Sequence, residues 1–425
     1  MSINRTIAPA LHPIGKPDLV RPEKHVLKNG IPVYALKAGK QEVCKIDFVF
    51  NAGVWYQPKQ LLASLTNAML QEGTAKYTAA EIAELFDFHG AYLQCTADYH
   101  YATISVITLD KHIGKLLPVV EDMLKASVFP EKEFNNLLNR RKQRFMLEME
   151  KVKILCQKKF SQVLFGEGHP YALGLKAEDF ENVCLDDFVD FYNTHYHAQN
   201  CELHLAGQFT DKVIQQLDHH FGGDDWNGTP VETPQFHAQP QTNKRERVHK
   251  EGAIQSAIRL GKLLVDKQHP DYFGLQILVT ILGGYFSSRL MLNIREDKGY
   301  TYGIGANFIN LNREGYLLIA TEVDKSYEEA TLKEITFEIE RLQNEPVPQD
   351  ELERVRQYLT GEFLRDFDGA FALGQAFRNL HDFGLDYSFY DNYHQAILSI
   401  TAEQLQQLAK QYLQTDSLYT VVAGQ

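Results

Sequence analysis

Arg295 and Tyr302, seven positions apart, have residue types that serve polar catalysis. A guanidinium and a phenol can donate hydrogen bonds to a substrate carbonyl, or to the oxyanion that develops from it. Both fall in RLMLNIREDKGYTYGI, residues 289–304. Leu290, Leu292 and Ile294 give this stretch an apolar helix face, Gly299 ends the helix, and TYGIGANF reads as a strand. Arg295 is therefore expected in the last helical turn and Tyr302 at the start of the strand, brought together by a tight turn. The same residues also allow an arginine paired with Glu296 or Asp297 and a tyrosine capping a core, and taken alone they favour that structural account.

A second pattern has the spacing of a metal site but not its chemistry. In QLLASLTNAMLQEGT, residues 60–74, Leu61, Leu62, Leu65 and Met69 recur at helical spacing and should face a core. Ser64, Asn67 and Ala68 then share another face at i, i+3 and i+4. Zinc requires imidazole, thiolate or carboxylate ligands, whereas this face offers a hydroxyl, an amide and a methyl. Ser64 also lacks the G-x-S-x-G surroundings of an activated nucleophile. In THYHAQNCELH, His195 and His197 diverge at a helix end and His204 lies inside a strand, so they read as surface and core histidines; His219 and His220 read as solvated. Gly283 and Gly284 end a helix instead of opening one, which argues against a phosphate loop.

The elements that must position these residues follow from composition and pattern. A chain of 425 residues can hold two or three domains, and a net charge of -12 with a pI near 5.7 argues against a nucleic-acid surface. Cys44, Cys95, Cys156, Cys184 and Cys201 are scattered without a C-x-x-C pair, as expected of thiols in a reducing compartment. The N-terminus has no continuous apolar segment, and no run reaches the roughly 18 uncharged apolar residues that span a bilayer. A cytoplasmic location, away from any membrane, is expected.

Residues 1–24 read as a Pro-rich arm. A mixed succession of strands and helices follows over 25–220, including strands at Val33 to Leu36 and Cys44 to Asn51, a helix capped by Thr78 and Glu81, and a strand at Tyr99 to Leu109. Residues 221–250 read as a linker, GGDDWNGTPVETPQFHAQPQTNKRERVHK. The plan then repeats over 251–425: LDDF at 185 and AEQL at 402, and LAGQ at 205 and VAGQ at 422, are each 217 positions apart. The expected fold is α+β, with two similar mixed α/β domains from an internal duplication, each an antiparallel-rich sheet packed against helices.

MLQEGTAKYT, GHPYALG and FYNTHYHAQNCELHLAGQF in the first half, with LGGYFSSRLMLNIREDKGYTYGI, VPQDELERVRQYLTGEF and ITAEQLQQLAKQYL in the second, stand in a telling order. From about Val26 to Gln425 the chain resembles the pitrilysin and insulinase-like zinc peptidases, the inverzincin group that includes the mitochondrial processing peptidases. The resemblance places the first zinc histidine of the H-x-x-E-H motif on Ser64, the general-base glutamate on Asn67 and the second histidine on Ala68. All three are replaced. The third ligand falls at Glu148, Met149 or Glu150. The resemblance thus implies no metal in this chain and no peptide hydrolysis by the chain alone.

Arg295 and Tyr302, by contrast, match the family's substrate-contacting pair. In two-chain members of the family, one subunit carries zinc and the other supplies this pair. The resemblance therefore implies a non-catalytic subunit of a heterodimeric zinc metalloendopeptidase that acts on peptides in an enclosed chamber, with zinc held by an H-x-x-E-H paralogue and a homodimer possible in its absence. A structural or peptide-binding protein of the same fold is the alternative. A homodimeric hydrolase would need a ligand trio that the sequence does not offer.

Overall fold

A computed structural model describes residue 17 and residues 19–425. The expected arm at 1–24 lies largely outside the described residues, and its last two residues open the first strand. Two sheets dominate. The first has six strands, β1 (Glu23–Val26), β2 (Pro32–Lys37), β3 (Val43–Phe50), β4 (Tyr92–Ala97), β5 (Ala102–Leu109) and β6 (Cys201–Gly207), in the order β1-β2-β6-β3-β5-β4. The second has five, β7 (Arg245–His249), β8 (Gln255–Leu264), β9 (Ile304–Asn310), β10 (Gly315–Asp324) and β11 (Tyr419–Gly424), in the order β7-β11-β8-β10-β9. Each sheet is antiparallel except for one parallel pair, β2 with β6 and β7 with β11. The internal duplication is therefore a duplication of topology.

The first half also forms helices α1 (Leu62–Met69), α2 (Ala79–Phe88), α3 (Ile113–Lys125), α4 (Glu131–Glu148), α5 (Val152–Phe165), α6 (Leu185–His195) and α7 (Lys212–Phe221). The second half forms α8 (Tyr272–Val279), α9 (Glu328–Asn344), α10 (Gln349–Arg365), α11 (Ala370–His381), α12 (Ser388–Ser399) and α13 (Ala402–Tyr412). The expected capping box opens α2, where the Thr78 hydroxyl accepts from the Glu81 N–H while the Glu81 carboxylate accepts from the Thr78 N–H.

One face of each sheet packs on helices of its own half. Ile46, Phe48 and Phe50 of β3 join Leu62, Leu65 and Met69 of α1 in the first core, and Ile258, Leu317 and Ile319 join Leu275 and Ile335 in the second. The opposite faces are covered by an exchange. Helix α5 of the first half lies on the second sheet, where Cys156, Phe160, Val163 and Leu164 share a cluster with Ala257, Leu318, Val421 and Ala423. Helix α11 of the second half lies on the first sheet, and Gly374 comes so near β6 that a Cβ there would sit 2.7 Å from that of Ala206. Neither half is closed without a helix from the other.

Three elements differ from expectation. Residues 245–249 of the expected linker form β7: Arg245, Arg247 and His249 are exposed and alternate with partly buried Glu246 and Val248, a period-two pattern hidden by its charges. The edge strand β4, YLQCTA, was not expected: Leu93, Cys95 and Ala97 alternate toward the core, but the run is short and only partly buried. Tyr302 precedes β9 instead of opening it.

Candidate functional site

Helix α1 buries Leu61, Leu62, Leu65 and Met69, as its spacing requires, but it also buries Asn67 completely. The Asn67 amide turns toward the sheet. Its Nδ2 donates to the Thr96 carbonyl at 2.6 Å and toward the Thr103 carbonyl at 3.4 Å, and its Oδ1 accepts from the Tyr196 hydroxyl at 3.3 Å. Asn67 therefore leaves the face expected to unite it with Ser64 and Ala68, which are half-buried. The Ser64 hydroxyl donates back to the Leu61 carbonyl at 3.4 Å. No imidazole, thiolate or carboxylate stands at these three positions, and the one strong polar group among them is committed to holding α1 on β4 and β5. The residues do not fit a zinc ion.

The candidate positions for a third ligand are also engaged elsewhere. Glu148 at the end of α4 accepts from Arg144 Nε at 2.9 Å, and Glu150 pairs with Lys250 of the second half. Glu72, beyond the C-terminus of α1, has its carboxyl raised mainly by burial; Arg140, 3.8 Å away, offsets this in part.

The second half carries the polar pair. Residues Met291–Asp297 form a wide helical turn, and Gly299, at φ +66, reverses the chain toward Tyr302. The guanidinium of Arg295 lies over two rings, 4.7 Å from the centre of Phe286 and 5.8 Å from that of Tyr302. Its contact with Glu296 is 3.9 Å, too long for a hydrogen bond. Tyr302 is 94% exposed, so it caps no core. Thr301, beside it, is anchored by donation from its hydroxyl to the Glu322 carbonyl at 2.7 Å. A cleft next to this pair is lined by Thr301, Tyr302, Arg259, Glu322, Tyr327 and, from α5, Lys153. The structure brings Arg295 and Tyr302 together and presents them outward.

The histidines divide differently from expectation. His195 Nδ1 lies 2.9 Å from the Asn51 carbonyl and His197 Nε2 lies 3.1 Å from the Thr194 carbonyl; both are buried and bonded to main-chain carbonyls. His204 meets groups that the sequence gave no reason to join. Its Nε2 lies 2.9 Å from Glu202 Oε1, and the other carboxylate oxygen lies 3.0 Å from Nε2 of His381 on α11. Burial pushes the Glu202 carboxyl up, but hydrogen bonds from the two imidazoles and their charge bring it down to about 2. Glu202 and His204 alternate on one strand and so share a face. His381, 179 positions from Glu202, had no sequence signal.

Family models match both halves: residues 33–165 as insulinase, peptidase family M16, and residues 182–359 as the peptidase M16 inactive domain. The chain is 25% identical over 301 residues to an uncharacterised zinc protease of Bacillus subtilis, covering 70% of this chain and 72% of that one. Its fold matches a crystal structure described as a peptidase M16 inactive domain from Pseudomonas fluorescens, with a TM-score of 0.83, 24% identity and coverage of 95% and 98% of the two chains. It also matches a protease from Helicobacter pylori, with a TM-score of 0.86, 19% identity and coverage of 96% and 100%. The chain belongs to the M16 family of insulinase-like peptidases, and its relatives include a structure described as an inactive domain of that family. Among the described residues no helix is long and apolar enough to cross a membrane.

Proposed function

We propose that this chain is the non-catalytic subunit of a heterodimeric zinc endopeptidase, contributing Arg295 and Tyr302 to peptide held at a partner's metal site. The observation that carries this reading is the contrast between the two sites. The polar group of α1 is spent on the fold, while an arginine and a tyrosine are held side by side with the tyrosine in solvent.

The partner is an H-x-x-E-H paralogue, which brings the zinc and the general base; this chain's residues do the positioning. Arg295 and Tyr302 donate to the carbonyl of the scissile peptide, so charge developing on that oxygen meets donors already in place. The cation-π contact with Phe286 holds the guanidinium ready. Five free cysteines support a reducing, cytoplasmic setting.

The test is reconstitution. Purified chain, a purified H-x-x-E-H paralogue from the same organism and a fluorogenic peptide library are assayed separately and mixed. Activity that appears or rises at least about tenfold on mixing, and falls when Arg295 or Tyr302 is replaced, supports the reading. Formation of a stable complex without any gain in activity would favour a structural or peptide-binding role.

A further inference from the structure

The junction between the first sheet and the helix that crosses from the second half contains a cluster with no part in the reading above. We propose that Glu202, His204 and His381 form a transition-metal site, selective for Zn2+ or a chemically similar divalent ion, that ties the two halves of the chain together.

The ligand set is two imidazoles and one carboxylate, the types that such ions select, and alkaline-earth ions do not favour it. Their ligand atoms all lie within 4.8 Å of one another. In a tetrahedral site with bonds of about 2.0 to 2.2 Å, ligand atoms stand roughly 3.3 Å apart. The carboxylate-to-imidazole separations of 2.9 and 3.0 Å are already close to this. Modest side-chain rotation brings the two Nε2 atoms in, with water completing the shell.

The surroundings restrict those rotations. The Tyr34 ring lies 5.3 Å from His204 and 4.6 Å from His381, and Phe377 lies 5.9 and 5.5 Å from the same two rings. The imidazoles are therefore held in an aromatic frame with their Nε2 atoms turned to one carboxylate. Asp382, next to His381, has a carboxyl raised mainly by burial, and its Oδ1 is buried with no hydrogen-bond partner among the described residues. Arg378 is occupied by Asp382 at 3.5 Å and by the Thr103 hydroxyl at 3.1 Å.

The duplication supplies a comparison within the molecule. At the register of 217 positions that aligns LAGQ with VAGQ, the counterparts of His204 and His381 are Val421 and Leu164. These two meet in the apolar cluster beneath α5. The same junction thus closes by ordinary packing on one side of the molecule, so a half-buried carboxylate with two imidazoles is not a requirement of the fold. One feature limits affinity. Among the described residues His204 Nδ1 is buried without a partner, so the second hydrogen bond that usually fixes a ligating imidazole is missing. Binding weaker than at a structural zinc site follows.

The full-length chain, freed of metal with chelator and exchanged into buffer, is titrated with Co2+ and then with Zn2+. One equivalent of Co2+ should bind, with the visible absorption of a low-coordinate N,N,O site, and Zn2+ should displace it and raise Tm. Glu202→Gln and His381→Ala, each checked for an unchanged circular dichroism spectrum, should weaken binding at least about 100-fold, the upper end of what losing a supporting contact alone costs. His219→Ala should bind as the parent does. Absence of saturable Co2+ binding overturns the proposal. So does binding that survives both Glu202→Gln and His381→Ala. These readouts do not involve a partner or proteolysis, so the inference stands or falls apart from the proposed function.

Discussion

Asn67 Nδ2 donates to the Thr96 carbonyl oxygen at 2.6 Å, which makes this buried amide a fastener between α1 and the sheet. With the Thr103 carbonyl also in reach, a donor is needed there. Asn67→Asp removes the amide and sets a carboxylate against two carbonyl oxygens in a fully buried site. It should cost about 2 to 4 kcal/mol, the range for a buried group left against unsatisfied partners. Urea unfolding of parent and variant measures this, and a loss below about 1 kcal/mol would show that the amide is not the fastener described.

What the sequence disclosed, and what it concealed, divides by range of interaction. The alternation of β3, the capping box of α2 and the apolar stripe of α1 are local, and each appears in the structure at or near its expected place. Arg295 and Tyr302 were legible because one short turn joins them. The orientation of Asn67 was not, since a helical wheel assigns it to the Ser64 face while a long-range hydrogen bond to the β4 main chain draws it inward. The exchange of α5 and α11 and the meeting of Glu202 with His381 depend on contacts between halves, and no spacing encodes them.

For Arg295 and Tyr302 the expected effect is kinetic. In the reconstituted heterodimer, Arg295→Ala or Tyr302→Phe should lower kcat/KM about 10- to 1000-fold, the scale of losing one oxyanion donor. Because Tyr302 is 94% exposed, Tyr302→Phe should leave the chain's Tm and its affinity for the partner unchanged. Variants that bind the partner normally and retain full activity would remove both residues from the mechanism.

Acid should destabilise the chain well before its carboxylates protonate. Burial pushes His100 and His195 down to about 4, and it lowers His169 and His197 as well. Below the unfolded value near 6.5 the unfolded chain takes up protons that the folded chain refuses, so stability falls as pH drops from about 6.5 toward 4. At pH 5 the loss from His100 and His195 is about 2 kcal/mol each. His381, raised by its hydrogen bond to Glu202, works the other way, as do the carboxyls of Glu72, Glu314, Asp366 and Asp382, raised mainly by burial, but none of these shifts is as large as those of His100 and His195. Urea midpoints at pH 7.5 and 5.0 provide the check, and equal or greater stability at pH 5.0 contradicts it.

The exchanged helices predict how the chain unfolds. Two sheets with separate cores would ordinarily suggest two transitions, one for each half. Here Phe160 of α5 is 2% exposed against the second sheet, with its ring 3.0 Å from where a Cβ on Gly261 would stand, and α11 covers the first sheet, with Gly374 against Ala206. Unfolding either half strips a covering helix from the other and exposes apolar surface there. A single cooperative transition is therefore expected in calorimetry, with van't Hoff and calorimetric enthalpies equal. Phe160→Ala should cost about 3 to 5 kcal/mol, as large aromatic truncations in cores do. Although the residue belongs to the first half in sequence, the loss should appear as a shift of that one transition. Two resolved transitions in the parent chain, with Phe160→Ala moving only one, would mean that the halves are stable apart and that the exchange does not couple them.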